Sequence, residues 1–110
     1  MLNINRTLTT LLITAVATCT FAIPAQASLT RSQMFAKAAG QAAFQCFVHD
    51  CSKRRILGVS GPYTGGLILY KWRYYGMHNV AAHSYWSRCD QYIKVSPQGV
   101  VSQYRFMNCV

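Results

Sequence analysis

The chain has 110 residues, of which eleven are Lys or Arg and two are acidic, giving a formal net charge of +9. A chain of this length holds one small domain, and with Asp50 and Asp90 as its only carboxylate side chains it is poorly equipped for acid–base chemistry by paired carboxylates. Five cysteines in so short a chain point instead to disulfides and an oxidising compartment.

The N-terminus reads as an export signal. Arg6 supplies a charged start, Leu8 to Ala17 is mostly apolar, and Pro24 precedes Ala25-Gln26-Ala27, an A-x-A cleavage site. The apolar run is shorter than the ~20 residues a membrane-spanning helix needs. The division is therefore a signal peptide over residues 1–27 and one domain over residues 28–110, periplasmic or secreted. A second processing route is open: Val16-Ala17-Thr18-Cys19 is similar to a bacterial lipobox, so Cys19 would carry a lipid anchor if Ala27 is not the cleavage site. Both routes leave Cys46, Cys51, Cys89 and Cys109, an even set that can pair in three ways.

Beyond the signal the charge stays extreme, because Arg6 is the only cation removed with it. Such a surface is drawn to phospholipid or lipopolysaccharide head groups, or to an acidic protein. Nucleic acid is not expected as a partner, since an exported protein meets little of it. The competing explanation for the charge is plain solubility.

Thr30-Arg31-Ser32-Gln33 fits a capping box, with the Thr30 hydroxyl and the Gln33 side chain each serving the other's backbone amide. A helix is predicted from there to Val48, with Phe35, Ala38, Ala39, Ala42 and Cys46 on one face. A second, short helix is predicted over Cys51 to Leu57, with Lys53-Arg54-Arg55 in its last turns and Gly58 ending it. Gly58 to Gly66 reads as a loop. Leu67 to Tyr75 is the first strand, with Ile68, Tyr70, Trp72 and Tyr74 on one face and Leu69, Lys71, Arg73 and Tyr75 on the other. The first set is expected under the helices and the second toward solvent. Gly76 to Ser87 reads as a long loop.

Two further strands follow, joined by the turn Ser96-Pro97-Gln98-Gly99. That turn sets a register in which Tyr92 opposes Tyr104 and Val95 opposes Val101. Cys89 and Cys109 then share a face but sit one diagonal step apart, at ~7–8 Å. A disulfide spans at most ~6.8 Å between Cα atoms, so a frayed strand end would have to close the gap. The alternative is that each cysteine bonds into the helical part. The expected fold is α+β: two N-terminal helices packed on a three-stranded antiparallel sheet (ααβββ), stapled by disulfides.

Leu69-Tyr70-Lys71-Trp72-Arg73-Tyr74, together with the run from Cys89 through Ile93-Lys94-Val95-Ser96-Pro97-Gln98-Gly99-Val100 to Asn108-Cys109, resembles the BamE (SmpA/OmlA) family over roughly residues 56–109. The resemblance implies a small periplasmic domain held at the outer membrane. In the family's best-studied branch that domain serves the β-barrel assembly machinery and contacts anionic phospholipid.

Other chemistries fit poorly. His49, His78 and His83 would need a free thiolate beside them to form a nucleophile pair or a reduced Cys51 to form a metal site. Cys46 and Cys51 lack the C-x-x-C spacing of thiol oxidoreductases. No catalytic residue, metal or cofactor is expected. The candidate binding patch is Lys71, Arg73, Tyr75, Tyr85 and Trp86, with Lys53, Arg54 and Arg55 as a second cluster. The competing role for Tyr85 and Trp86 is to cover the sheet. The expected function is a non-catalytic envelope protein binding a protein partner or an anionic envelope component, in outer-membrane assembly or integrity. The alternative is a cationic inhibitor or immunity-type protein that docks on an acidic enzyme.

Overall fold

A computed structural model describes residues 28–79 and 82–110; the expectations about Ala27 and Cys19 concern residues outside these. Helix α1 (Arg31–Val48) is followed by β1 (Lys53–Ser60), a 3-10 turn (Thr64–Gly66), β2 (Ile68–Asn79), β3 (Ser84–Val95) and β4 (Val101–Gln103). The strands form one antiparallel sheet in the order β1-β2-β3-β4, so each strand lies beside its neighbours in sequence.

The helix begins where the capping box places it. Gln33 N donates to Thr30 Oγ1 at 3.1 Å, and Thr30 N donates to Gln33 Oε1 at 2.8 Å. Met34, Ala38, Ala42, Gln45 and Cys46 form its buried stripe. The small alanines let the helix lie close to Ile68, Tyr70, Trp72 and Tyr74 of β2 and to Cys89, Ile93 and Val95 of β3, all buried. The face of β2 expected under helical cover is the face that is covered. Phe35 lies at the border, 40% exposed, with its ring against Tyr70 and Trp72.

The expected ααβββ order is wrong in one element: Lys53–Ser60 is a strand, and the fold is one helix on four strands. A seven-residue helix is marginal in water and would leave the backbone edge of the long strand β2 unpaired. The Cys46–Cys51 disulfide closes the turn after α1, Cys51 N donates to Cys46 O at 2.8 Å, and Ser52 N donates to Tyr75 O at 2.8 Å. The chain therefore leaves the helix already aligned with β2.

The expected Gly76–Ser87 loop is also corrected, being mostly strand. Pairing continues through Met77↔Trp86, His78↔Tyr85 and Asn79↔Ser84. The reversal is helped by Asn79, whose Oδ1 accepts from Ala82 N at 3.2 Å, as short polar side chains do in turns.

The Ser96–Gly99 turn forms as expected, with Gly99 N donating to Ser96 O at 2.9 Å and Gly99 at φ 90°. Val95 opposes Val101. The pairing then slips: Asp90 opposes Met107, and Val110 N donates to Arg88 O at 3.1 Å. By Val110 the slip amounts to two residues. That moves Cys109 from the diagonal of Cys89 to directly opposite it, with Cα atoms 4.2 Å apart, and the two form the second disulfide.

Candidate functional site

Opposed residues in an antiparallel pair share a face. The register therefore gathers Lys53 and Arg55 of β1, Lys71, Arg73 and Tyr75 of β2, and Arg88, Tyr92 and Lys94 of β3 on the side away from α1. Among the described residues no helix covers this side. Lys53 stands opposite Tyr75, which stands opposite Arg88; Arg55 opposes Arg73, which opposes Asp90; Lys71 opposes Tyr92; Leu69 opposes Lys94. Successive outward rows are ~7 Å apart and strands ~5 Å apart, so the cations span about 20 Å along the sheet.

The lysines lie against aromatic rings. Lys53 Nζ is 4.9 Å from the centre of the Tyr75 ring, Lys71 Nζ 5.7 Å from Tyr92 and Lys94 Nζ 5.9 Å from Tyr104. Each such contact is worth ~0.5–1 kcal/mol at an exposed site. Tyr92 and Tyr104 meet edge to face at 6.3 Å.

The one carboxylate on this side is already engaged. Arg73 donates from Nε to Asp90 Oδ1 at 2.7 Å and from Nη2 to Oδ2 at 3.0 Å, a two-pronged contact. Asn108 Nδ2 adds a contact to Oδ2 at 3.5 Å, and Asp90 is 1% exposed. The hydrogen bond from Arg73 is the main cause that holds the Asp90 carboxyl below the ordinary carboxylate range, against the opposing effect of desolvation. A depressed folded-state pKa means that the contribution is full above the unfolded value and is lost as pH falls toward the folded one. Asp90→Asn is expected to lower the melting temperature at neutral pH and to flatten its decline in acid, read by circular dichroism melts across pH. An unchanged acid limb would show that Asp90 is not the acid-sensitive group.

Behind the face, Tyr74 is fully buried and its hydroxyl donates to Gln91 Oε1 at 2.7 Å; Gln91 Nε2 donates to Tyr104 O at 2.9 Å. Burial pushes the Tyr74 pKa well up. This relay ties β2, β3 and the segment after β4 into one support for the outward side chains.

The residues of the predicted patch separate. Lys71, Arg73 and Tyr75 are joined by Lys53 and Arg55, because a strand sends alternate residues to one side. Arg54, between them, opposes Tyr74 and so belongs to the helix side. Tyr85 is exposed against His78 at the far end of the hairpin, with ring centres 4.9 Å apart. Trp86 packs half-buried against the core, the covering role. Sequence reasoning left Arg88, Tyr92, Lys94 and Tyr104 out of the patch. The Tyr92–Tyr104 opposition was available in the turn register; Arg88 was not, because it borders the stretch read as a loop.

Among the described residues no group of three or more His, Cys, Asp or Glu could hold a metal ion, and no helix is long and apolar enough to cross a membrane. Comparison with protein-family models, with curated proteins and with solved structures returns no match.

Proposed function

We propose that this is a non-catalytic, exported protein that docks its open sheet face on an anionic lipid surface of the cell envelope. One observation carries the reading: Lys53, Arg55, Lys71, Arg88 and Lys94 share a face that no other described element covers, and its single carboxylate side chain, Asp90, is taken up by Arg73. Lipid phosphates are the complementary chemistry, at ~1 kcal/mol per cation near the surface. Tyr75, Tyr92 and Tyr104 suit the head-group layer, where amphipathic rings concentrate. The two disulfides support export.

Sedimentation with phosphatidylglycerol-containing vesicles tests the reading. Binding is expected at an ionic strength of about 0.01 M and a steep loss toward 0.15 M, as the screening length contracts from ~30 to ~8 Å. Equal binding to neutral phosphatidylcholine vesicles, or none to either, overturns it. A role in barrel assembly of the BamE kind is a narrower version. It rests on the Cys89–Cys109 hairpin, since the second helix of the ααβββ pattern is a strand here. Recovery of barrel-assembly proteins from detergent extracts supports that version; recovery of a single soluble acidic enzyme favours an inhibitor.

A further inference from the structure

The register slip between β3 and the C-terminal segment leaves a gap. Where the backbone peels away after Tyr104 and re-pairs at Met107, a cleft of about 350 Å³ opens against the end of α1. Its lining includes Gln45 from the helix, Gln91 from β3, Gln103 and Arg105 from the C-terminal segment, and Phe106. This size lies within the range of small-ligand sites.

Gln45 is the central member. It is 6% exposed and lines the cleft, and since Trp72 Nε1 is the one sealed side-chain polar atom without a partner among the described residues, what remains open of Gln45 faces the cleft. Gln45 is the one polar residue in the buried stripe of this helix. Its neighbours are partly committed. Gln91 keeps one amide hydrogen free after bonding Tyr104 O, and Gln103 keeps its amide group free after accepting from Gln41. Phe106 is held edge-on by His49 at 4.9 Å and by Tyr74 at 5.7 Å between ring centres.

We propose that this cleft is a binding site for an acidic sugar, one pyranose ring bearing a carboxylate. A carboxamide offers a donor and an acceptor side by side, which matches ring hydroxyls that are themselves both. The fixed Phe106 ring provides an apolar wall for the sugar's C–H face. Arg105, exposed at the rim, matches the carboxylate with a forked cation. The site does not depend on the sheet face, because its residues come from the helix side and the C-terminal edge.

Titration of D-glucuronate and of methyl β-glucopyranoside into labelled protein, followed by the side-chain amide signals in NMR, tests this. Saturable shifts of the Gln45, Gln91 and Gln103 amides are expected with both sugars, tighter with glucuronate. Arg105→Ala is expected to weaken glucuronate by about tenfold and to leave the neutral sugar unchanged. Gln45→Leu is expected to abolish saturation with both sugars without lowering the melting temperature, since it places an apolar side chain of similar volume in the otherwise apolar stripe of the helix. The proposal is overturned by an absence of saturable shifts at Gln45 and Gln91, by glucuronate binding indifferent to Arg105→Ala, or by shifts confined to the Lys71–Lys94 face.

Discussion

Replacing Lys71 and Lys94 together by glutamate is expected to weaken association with anionic vesicles by about a thousandfold. Each cation near the surface contributes ~1 kcal/mol. Reversal removes two such contributions and adds two repulsions of similar size, about 4 kcal/mol, and ~1.4 kcal/mol is a factor of ten. Both side chains are half-exposed and their described contacts are with the Tyr92 and Tyr104 rings, so the fold should survive. The decisive control is Lys37→Glu with Arg54→Glu. That pair changes net charge equally, but Lys37 is on the helix and Arg54 on the helix side of β1. Sedimentation at low ionic strength with both variants compares the face with the charge. Equal losses would show that binding follows net charge alone, and the sheet face would lose its role.

Removing the Cys89–Cys109 disulfide is expected to be the most damaging change to stability. It closes a span of 20 residues, worth about 3 kcal/mol in the chain-entropy account. In a domain this small each kcal/mol moves the melting temperature by ~4–8 °C, so Cys89→Ala with Cys109→Ala should lower it by roughly 12–24 °C. Cys46 and Cys51, five positions apart, close a shorter loop worth ~2 kcal/mol. The difference has a structural side as well. Cys89 is fully buried, and the Met107–Val110 segment it anchors also covers Asp90. Thermal melts of both double variants, read by circular dichroism, rank the two links. A larger loss for the Cys46–Cys51 pair would mean that the C-terminal segment is held by its backbone bonds to β3 rather than by sulfur.

The two errors about the fold share a cause. Lys53–Leu57 has no strong periodicity of either kind, and its state was decided by the unpaired edge of β2, which lies at Tyr75 and Arg73, far away in sequence. Gly76–Ser87 reads locally as a spacer, yet the pairing of His78 with Tyr85 carries the hairpin on past Gly76. In both cases a non-local hydrogen-bonding need overrode local preference. The candidate site suffered accordingly. Half of it, Lys71, Arg73 and Tyr75, was visible as the outward alternation of one strand. The other half required knowing which strands lie beside it.

The capping box, the extent of α1, the buried face of β2 and the Ser96–Gly99 turn follow from the sequence by itself, because each depends on residues a few positions apart. The second disulfide shows where that stops. Sequence register placed Cys89 and Cys109 on one face but a diagonal step apart. Only the tertiary structure supplies the slip that brings them opposite each other, one residue around Arg105 and Phe106 and a second between Met107 and Val110, and the first step opens the cleft beside Gln45. At that point Phe106 packs between His49 and Tyr74, contacts from elements far away in the chain. Likewise the cations of β1, β2 and β3 become one face only when three strands align, since a charge pattern in sequence has no neighbours across a sheet until the sheet exists.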